Sequence, residues 1–243
     1  MKIALQLYSI KNISETAGLP AALDKAKELG YEGVEFAGLF GLSPAEAKAE
    51  LDKRGLACAG FHEGYNVVAE NPEKAIEMCK ICDAASLCIP AFAADTAEGW
   101  IEFGKSMNEL GKKFRAAGIP FGYHNHRHEF VPLADGRLPM DLILENCDAE
   151  NVFFEMDTRH VKIAGVAPEE YIKKYPNRVT VLHARDTDGN EDSAVGAGLV
   201  DFPAVMDVIG MPAWFVVENE NFDTNEGQLA DSVTYLKKTF GNH

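Results

Sequence analysis

Short apolar runs recur along the whole chain, separated by helix-like stretches, and this alternation restricts the fold more than any other feature. Parallel strands need long crossover connections, usually helices, so the alternation favours a parallel sheet. Eight strand–helix pairs in 243 residues predict a single closed (β/α)8 barrel that occupies residues 1–243 as one domain. The predicted strands are Ile3–Ser9, Tyr31–Ala37, Leu56–His62, Ser86–Phe92, Ile119–His126, Val152–Asp157, Val179–His183 and Trp214–Glu218.

Local signals mark the helix boundaries between these strands. Ser43-Pro44-Ala45-Glu46 has the pattern of a capping box with proline at the first helical position. The segment Ala97–Ala117 carries apolar residues at spacings of three and four, which predicts an amphipathic helix. Gly30 and Gly118 stand just before predicted strands, where glycine commonly ends the preceding helix.

Composition and charge exclude several classes of protein. The formal net charge of −15 opposes a nucleic-acid or anionic-membrane surface, since both need clustered lysine and arginine. Met1–Ile10 lacks the features of a signal peptide, and no apolar run approaches the roughly 20 residues of a membrane span. Five cysteines without framework spacing fit a reducing compartment, and Cys79 and Cys82 are expected to pack in the core. We expect a cytoplasmic protein.

Acids and histidines follow most of the predicted strands, at the end where the chain leaves toward a helix. In a parallel barrel these ends meet on one face, which carries the active site in enzymes of this architecture. Three carboxylates and an imidazole that met there would hold a divalent metal ion. The residues in question are Glu35, His62, His124, Asn125, His126, Glu129, Asp157, His160, His183 and Glu218.

The segment Phe121–Phe130 is the densest of these clusters. Strand alternation places His124 and His126 on one face, with Asn125 on the opposite face. Glu129 would lie in the loop just beyond the strand, from where it could fold back over the barrel mouth. An exposed histidine-rich loop is the alternative interpretation of this segment.

The second cluster contains Glu155 and Asp157, which share a strand face. Asp157 is the better metal ligand because it lies nearest the end of the strand. His160 begins the next loop and could reach the same cavity. Arg159 is explained at least as well by a solvated arginine that caps the loop as by a substrate contact.

The last two predicted strands also end in ligand-type residues. His183 follows an apolar run, a common way of presenting an imidazole to a metal, although a core histidine bonded to backbone is an alternative. Glu218 and Glu220 point the same way, and Glu218 is favoured because it adjoins the apolar run. The segment Arg185–Asp201 predicts a long loop that shapes the site. The sequence has neither a Walker motif nor a nucleophile elbow, so it gives no support to a nucleophile-based hydrolase.

These residues belong to motifs that span nearly the whole chain. In their order, the motifs resemble the xylose isomerase-like TIM-barrel superfamily, the group of sugar phosphate isomerases and epimerases related to endonuclease IV. The resemblance implies a TIM barrel and a metal-dependent enzyme. The motifs are Leu5–Ser9, Gly33–Phe36, Tyr123–His126 with Glu129 and Phe130, Met156 and Asp157, Leu182 and His183 with Asp186, Val195–Gly198, and Val217 and Glu218.

The resemblance also implies one divalent metal ion, held by Glu129, Asp157, His183 and Glu218. In other branches of the superfamily the carboxylate from strand five lies within the strand, where this chain has His124. His124 is therefore the alternative ligand to Glu129.

Four further residues are predicted to contact the substrate: Glu35, His62, His160 and Arg185. His160 matches a histidine that binds substrate in the ketose-epimerase branch. Arg185 stands where many relatives have lysine, so a cation that contacts substrate oxygens would be kept with a different geometry.

The implied ligand set of three carboxylates and one imidazole is hard and oxygen-rich, which suits Mn²⁺ best, with Mg²⁺, Co²⁺ or Zn²⁺ as alternatives. Such an ion would stabilise the enediolate formed when a proton leaves the carbon beside a sugar carbonyl. Glu129 and Glu218, on opposite sides of that carbon, would exchange the proton in an epimerase or isomerase. If the intermediate expels a β-hydroxyl, the enzyme is a lyase of a keto-inositol or keto-glycoside, with His124 or His126 as its base.

Two other classes of function are weaker alternatives. Phosphodiester cleavage of the endonuclease IV kind uses a three-metal cluster and a basic DNA-binding face, which the net charge of −15 opposes. A sugar-binding barrel without chemistry would be revealed by a lost ligand, and all four ligand positions are filled. We therefore expect a sugar or polyol substrate, no nucleic-acid or membrane partner, and a homodimer as one possible assembly.

Overall fold

The computed structural model describes residues 1–241, and a closed barrel of eight parallel strands forms its centre. The barrel strands are β1 (Ile3–Gln6), β2 (Gly33–Phe36), β3 (Ala57–His62), β4 (Leu87–Ile89), β5 (Phe121–His124), β6 (Phe153–Asp157), β7 (Val179–Ala184) and β10 (Trp214–Val217), whereas β8 (Asp186–Thr187) and β9 (Asp192–Ser193) form a separate antiparallel hairpin. Around the barrel the order is β1-β10-β7-β6-β5-β4-β3-β2, so β1 closes the ring against β10. The predicted (β/α)8 barrel is confirmed.

Helices link successive barrel strands and surround the barrel, as parallel connections require. Among residues 1–241, no helix is both long enough and apolar enough to cross a membrane. The helices are α1 (Lys11–Ala17), α2 (Leu19–Glu28), α3 (Pro44–Arg54), α4 (Tyr65–Glu70), α5 (Pro72–Ile81), α6 (Ala97–Ala116), α7 (Pro139–Glu145), α8 (Thr158–Ile163), α9 (Pro168–Lys174), α10 (Phe202–Ile209) and α11 (Glu226–Phe240), with 3₁₀ turns at Leu7–Ile10 and His128–Phe130.

The predicted helix boundaries have the expected causes. Ser43 caps α3 by accepting a hydrogen bond from the Glu46 N–H, while the Glu46 side chain accepts from the Ser43 N–H, which completes the capping box. Gly30 and Gly118 adopt positive φ angles of 90° and 79° just beyond α2 and α6. Glycine reaches that conformation without steric cost, so both helices end there and the chain turns into the next strand.

Most predicted strands are longer in the sequence pattern than in the structure, and two of them show the cause. The run Ile3–Ser9 stops pairing at Gln6, because the Gln6 side chain caps the 3₁₀ turn that follows. The run Ser86–Phe92 stops pairing at Ile89, because Pro90 has no N–H to donate to a neighbouring strand. Apolar pattern predicted the strands correctly, but local side chains set their ends.

The inside of the barrel has two layers of different polarity. Side chains alternate along a strand, so Phe153, Glu155 and Asp157 all point inward from β6 at increasing height. The lowest layer is an apolar plug, and ionisable groups lie above it. The plug consists of Ala4, Ala59, Cys88, Phe153, Val181, Trp214 and Val216. Carboxylates and imidazoles above it therefore stand on a floor that excludes water, where charges interact strongly.

All five cysteines are free and buried. Burial raises the pKa of the Cys79 thiol to about 12 and that of Cys82 to about 11. Thiols with such pKa values stay protonated at pH 8 and react slowly, because the thiolate is the nucleophile.

We expect the folded protein to react negligibly with a thiol-specific disulfide reagent at pH 8, whereas all five cysteines should react in guanidinium. The denatured sample is the control for reagent and protein concentration. A cysteine that reacts within seconds in the folded protein would contradict the packing of these thiols in the core.

Candidate active site

Four side chains meet at the carboxyl end of the barrel: His124 from β5, Asp157 from β6, His183 from β7 and Glu218 directly after β10. One nitrogen or oxygen atom from each lies within 4.8 Å of those from the other three. All four side chains are buried. Two carboxylates and two imidazoles at this spacing form a donor set that fits a divalent cation.

Asp157 is held by its neighbours with one oxygen left free. Its N–H donates to Asn125 Oδ1 at 2.8 Å, and its Oδ1 accepts from the His160 N–H at 2.8 Å at the start of α8. Asp157 Oδ2 is buried without a hydrogen-bond partner. A buried carboxylate oxygen without a partner is costly, so this atom is available to a cation.

His183 is oriented by carboxylates on both of its ring nitrogens. Nδ1 lies 3.2 Å from Glu218 Oε2, and Nε2 lies 2.7 Å from Glu35 Oε2. Burial alone would lower the pKa of His183, but the charges of Glu155 and Glu35 raise it well above its ordinary value. Glu35 therefore lies behind the imidazole, as a carboxylate commonly lies behind a metal-binding histidine. Its predicted contact with substrate stays a prediction.

A glycine makes room for Glu35. A Cβ atom at Gly60 would lie 2.7 Å from Glu35 Oε1 and 2.8 Å from Ser86 Oγ, closer than real Cβ contacts allow. The Gln6 side chain completes the surroundings of Glu35 by donating to Oε2 at 2.8 Å. Position 60 of β3 must therefore be glycine, because the Glu35 carboxylate points into the barrel from β2 and occupies the space that a Cβ atom would need.

Glu155 lies one layer below Asp157 on the same face of β6, as strand alternation predicts. Its Oε2 is 2.6 Å from His62 Nε2 and 3.4 Å from His124 Nδ1. His62 Nε2 is also 3.1 Å from Glu35 Oε2. Burial raises the pKa of Glu35 and of Glu155, and for Glu35 the Glu155 charge raises it further. Sequence reasoning placed Glu155 on the correct face but did not select it.

The positively charged guanidinium of Arg185 lies at the edge of this group. Its side chain is only 2% exposed, and Asp192 binds it in two places, at 2.7 and 2.9 Å. The remaining nitrogen, Nη1, lies 3.0 Å from Glu220 Oε1 and 3.5 Å from Asp157 Oδ2. Arg159 also contacts Asp192, at 3.0 Å, which places it in the loop rather than in the cavity. Sequence reasoning missed Asp192, which lies in the loop segment that it identified.

Asp186 organises the loop that carries Asp192. Its carboxylate accepts hydrogen bonds from the N–H groups of Thr187, Gly196, Gly198 and Val200, all between 2.8 and 3.0 Å. The predicted long loop is therefore an ordered structure, built around the β8–β9 hairpin and one buried carboxylate.

The structure places Glu129 outside the four-residue group. Its Oε1 accepts a hydrogen bond from the Tyr123 hydroxyl at 2.6 Å, and its Oε2 accepts from the His126 N–H at 2.9 Å. The 3₁₀ turn His128–Phe130 folds Glu129 back under the loop, where it forms these two hydrogen bonds. β5 therefore ends at His124, before the end of the predicted run Ile119–His126. His124, the alternative ligand, occupies the expected position, and ligation by Glu129 stays a prediction.

A cavity of about 490 Å³ opens above the group. His126 and His160 pack against each other on its wall with ring centroids 4.9 Å apart, and each has a buried Nδ1 without a partner. Burial lowers the pKa of His160 to about 4, so this imidazole is neutral at pH 7. The lining side chains include Tyr8, His62, His124, His126, His160, Glu218 and Glu220. The cavity is large enough for a small polar molecule and offers it several proton donors and acceptors.

Comparison with known families gives a match over most of the chain. The family described as xylose isomerase-like TIM barrel matches residues 23–239. Inosose dehydratase from Salmonella typhimurium is 23% identical over 82% of this chain and 80% of its own length. Inosose dehydratase from Clostridium tetani is 26% identical over 53% of this chain, which spans about half (46%) of that relative.

Solved structures agree in fold. A sugar phosphate isomerase/epimerase from Parabacteroides distasonis superposes with a TM-score of 0.83 at 24% identity, covering 98% of both chains. The IOLI protein, crystallised with a zinc atom, superposes with a TM-score of 0.73 at 13% identity, covering 100% of this chain and 99% of its own. At such identities the likeness shows a shared barrel fold and no more.

Substitution of Asp186 tests whether this carboxylate holds the loop after β7 in its ordered structure. Asp186→Ala removes four charge-assisted hydrogen bonds, so we expect the loop to lose about 3 kcal/mol of local stability. Limited proteolysis within residues 187–200 should become at least about ten-fold faster.

Asp188→Ala is the matched control, because Asp188 is exposed and caps only the hairpin turn. Mass spectrometry of the fragments locates the cleavage sites. Equal cleavage of the two variants would show that Asp186 does not hold the loop.

Proposed function

Because the chain belongs to the xylose isomerase-like TIM-barrel family, we propose that it is a divalent-metal-dependent sugar isomerase or epimerase. Such an enzyme moves a proton to or from a carbon beside a sugar carbonyl. The observation that carries the proposal is the convergence of His124, Asp157, His183 and Glu218 below the cavity. A sugar phosphate isomerase/epimerase shares this barrel fold, so the architecture is compatible with the proposed reaction.

The donor set supports a resident metal ion. Asp157 Oδ2 lacks a hydrogen-bond partner, and Asp157 and Glu218 are buried close together. His183 lies 3.2 Å from Glu218, and Arg185, itself paired with Asp192, lies 3.5 Å from Asp157 and 3.6 Å from Glu218. Mn²⁺ stays our first candidate, and the presence of two imidazoles also suits Zn²⁺ or Co²⁺. The zinc atom in the IOLI structure supports the same class of ion. Bound there, the ion would supply Lewis-acid polarisation of a carbonyl and its neighbouring hydroxyl.

Residues around the cavity account for binding and proton movement. Burial would raise the pKa of Glu218, but Arg185 and His183 together hold it below its ordinary value, so Glu218 is an anion at neutral pH. That charge suits a metal ligand, whereas a role as proton acceptor would need the pKa to rise when the substrate binds. His126 and His160 line the cavity and would supply a second proton-transfer group. Arg185, fixed by the Asp192 contacts, would donate to a substrate oxygen if its Nη1 left Glu220, which lies 3.0 Å away.

A lyase that removes water from a keto-inositol or keto-glycoside is supported equally well. Curated relatives of the chain are inosose dehydratases. The predicted Glu129–Glu218 pair would need Glu129 to leave its bonds to Tyr123 and His126. With Glu129 in those bonds, most of the ionisable groups that line the cavity beside Glu218 are imidazoles, and an imidazole can donate a proton to a departing hydroxyl.

Asp157→Ala tests the metal centre. We expect the variant to lose about one metal ion per chain relative to the wild type and to lose turnover by about 10³-fold or more, because a ligand and buried charge are removed. Metal content is measured by plasma mass spectrometry after loading with Mn²⁺ or Zn²⁺.

Asp95→Ala is the control, since Asp95 is an exposed carboxylate in the loop before α6. It should keep both metal and turnover. An Asp157→Ala protein that retains wild-type metal content would overturn the assignment of this site.

Substrate incubation in D₂O distinguishes the two reactions. An isomerase or epimerase should incorporate deuterium beside the carbonyl of a ketose and produce an isomer of equal composition. A dehydratase should convert a keto-inositol into an unsaturated product that is lighter by one water. If the metal-loaded protein binds such compounds and does neither, a sugar-binding barrel becomes the better conclusion.

A further inference from the structure

A cleft of about 700 Å³ adjoins the cavity above the four-residue group. His62 lines both of them, and the adjacent residues Ala37 and Gly38 line the cavity and the cleft respectively. We propose that the substrate is a glycoside whose sugar occupies the cavity and whose apolar aglycone, an aryl or branched alkyl group, occupies the cleft. The inference rests on the proposed function for the position of the sugar, and it adds the class of substrate.

The cleft lies beside the mouth of the barrel, between the loop that follows β2 and the helices that follow β3. Pro44 at the start of α3 closes one end, and α4 and α5 form the opposite wall. Both connections leave the carboxyl ends of their strands, which is the end that carries the cavity. The cleft is therefore within reach of a molecule whose reacting part lies in the cavity.

Apolar side chains form most of the surface of the cleft. Among residues 1–241 six large apolar side chains are exposed, and two of them, Val67 (57%) and Ile81 (38%), line the cleft. Exposed apolar residues that gather at one concave surface indicate a binding site, whereas single scattered ones do not. The apolar residues of the lining include Leu39, Phe61, Val67, Met78 and Ile81.

The charged residues of the cleft distinguish an uncharged aglycone from a phosphate group. Glu63, Glu70 and Glu77 line the cleft, and Lys74 is the single basic residue among the lining side chains. An excess of carboxylates repels a phosphate, which needs lysine or arginine for binding. The cleft therefore fits an uncharged apolar group better than the phosphate of a sugar phosphate.

The turn that carries Leu39 has a strained backbone. Phe40 has a φ angle of 48°, which bulky side chains rarely adopt, and Gly41 follows with a φ angle of 88°. The Leu42 N–H donates to the Leu39 carbonyl oxygen at 3.0 Å and closes the turn. Such strain persists where surrounding contacts hold it, and it is common at sites that clamp a ligand. Here it fixes Leu39 at the wall of the cleft.

Affinities for matched pairs of glycosides test the proposal. The metal-loaded wild type is titrated by calorimetry with the methyl and phenyl glycosides of glucose, galactose and mannose. For at least one sugar we expect the phenyl glycoside to bind about ten-fold or more tightly than the methyl glycoside, because the ring leaves water when it enters the cleft.

Val67→Glu should abolish this difference, because it puts a charged group where the aglycone would pack. Val131→Glu is the matched control, since Val131 is a valine of similar exposure (50%) in the loop after β5, away from the lining of the cleft. The control should keep the preference for the phenyl glycoside. Circular dichroism checks that both variants are folded.

The outcomes separate this proposal from the proposed function. Equal affinities for the two glycosides of every sugar, no binding of any glycoside, or a phenyl preference that Val67→Glu keeps would each overturn the assignment of the cleft. The metal content of Asp157→Ala and the turnover of a free ketose or keto-inositol decide the proposed function independently. A phenyl preference in a protein that retains no metal after loading would support the cleft and contradict the metal-dependent reaction.

Discussion

Four carboxylates at the centre of the barrel share a space that the apolar plug seals from below. Mutual repulsion in such a space is strong, and every neighbouring group is arranged to oppose it. Histidines stand between the acids, Gln6 donates to Glu35, and Arg185 contacts the rim. The inner polar layer of the barrel therefore carries excess negative charge, and the stability of the folded protein depends on the positive charge that binds there.

The fold could be predicted from sequence because the signal repeats. Each strand is an apolar run, most carry a polar residue at or near the carboxyl end, and eight repetitions leave little choice of architecture. The same periodicity placed His124, Asp157, His183 and Glu218 among the candidates at strand ends, and the family resemblance then implied Asp157, His183 and Glu218 as ligands, with His124 as the alternative to Glu129. Strand ends were less predictable, because a proline or a capping side chain decides them.

The periodicity of the sequence could not predict contacts between distant segments. Glu35 and His183 are 148 residues apart in the sequence, and no local sequence feature predicts the 2.7 Å contact between them. Glu155 and Asp157 share a face, so alternation cannot tell which of them reaches the upper layer. Glu129 follows a strand as a ligand would, but the Tyr123 hydroxyl and the His126 N–H bind both of its oxygens.

The apolar plug determines how small molecules can enter and leave the barrel. Phe153, Val181 and Trp214 fill the axis beneath the ionisable layer, so the cavity communicates with solvent through its upper mouth. In the proposed reaction, reactant and product would share that mouth, and neither could enter while the other occupied the cavity. Accumulated product would therefore compete with the reactant for the same space.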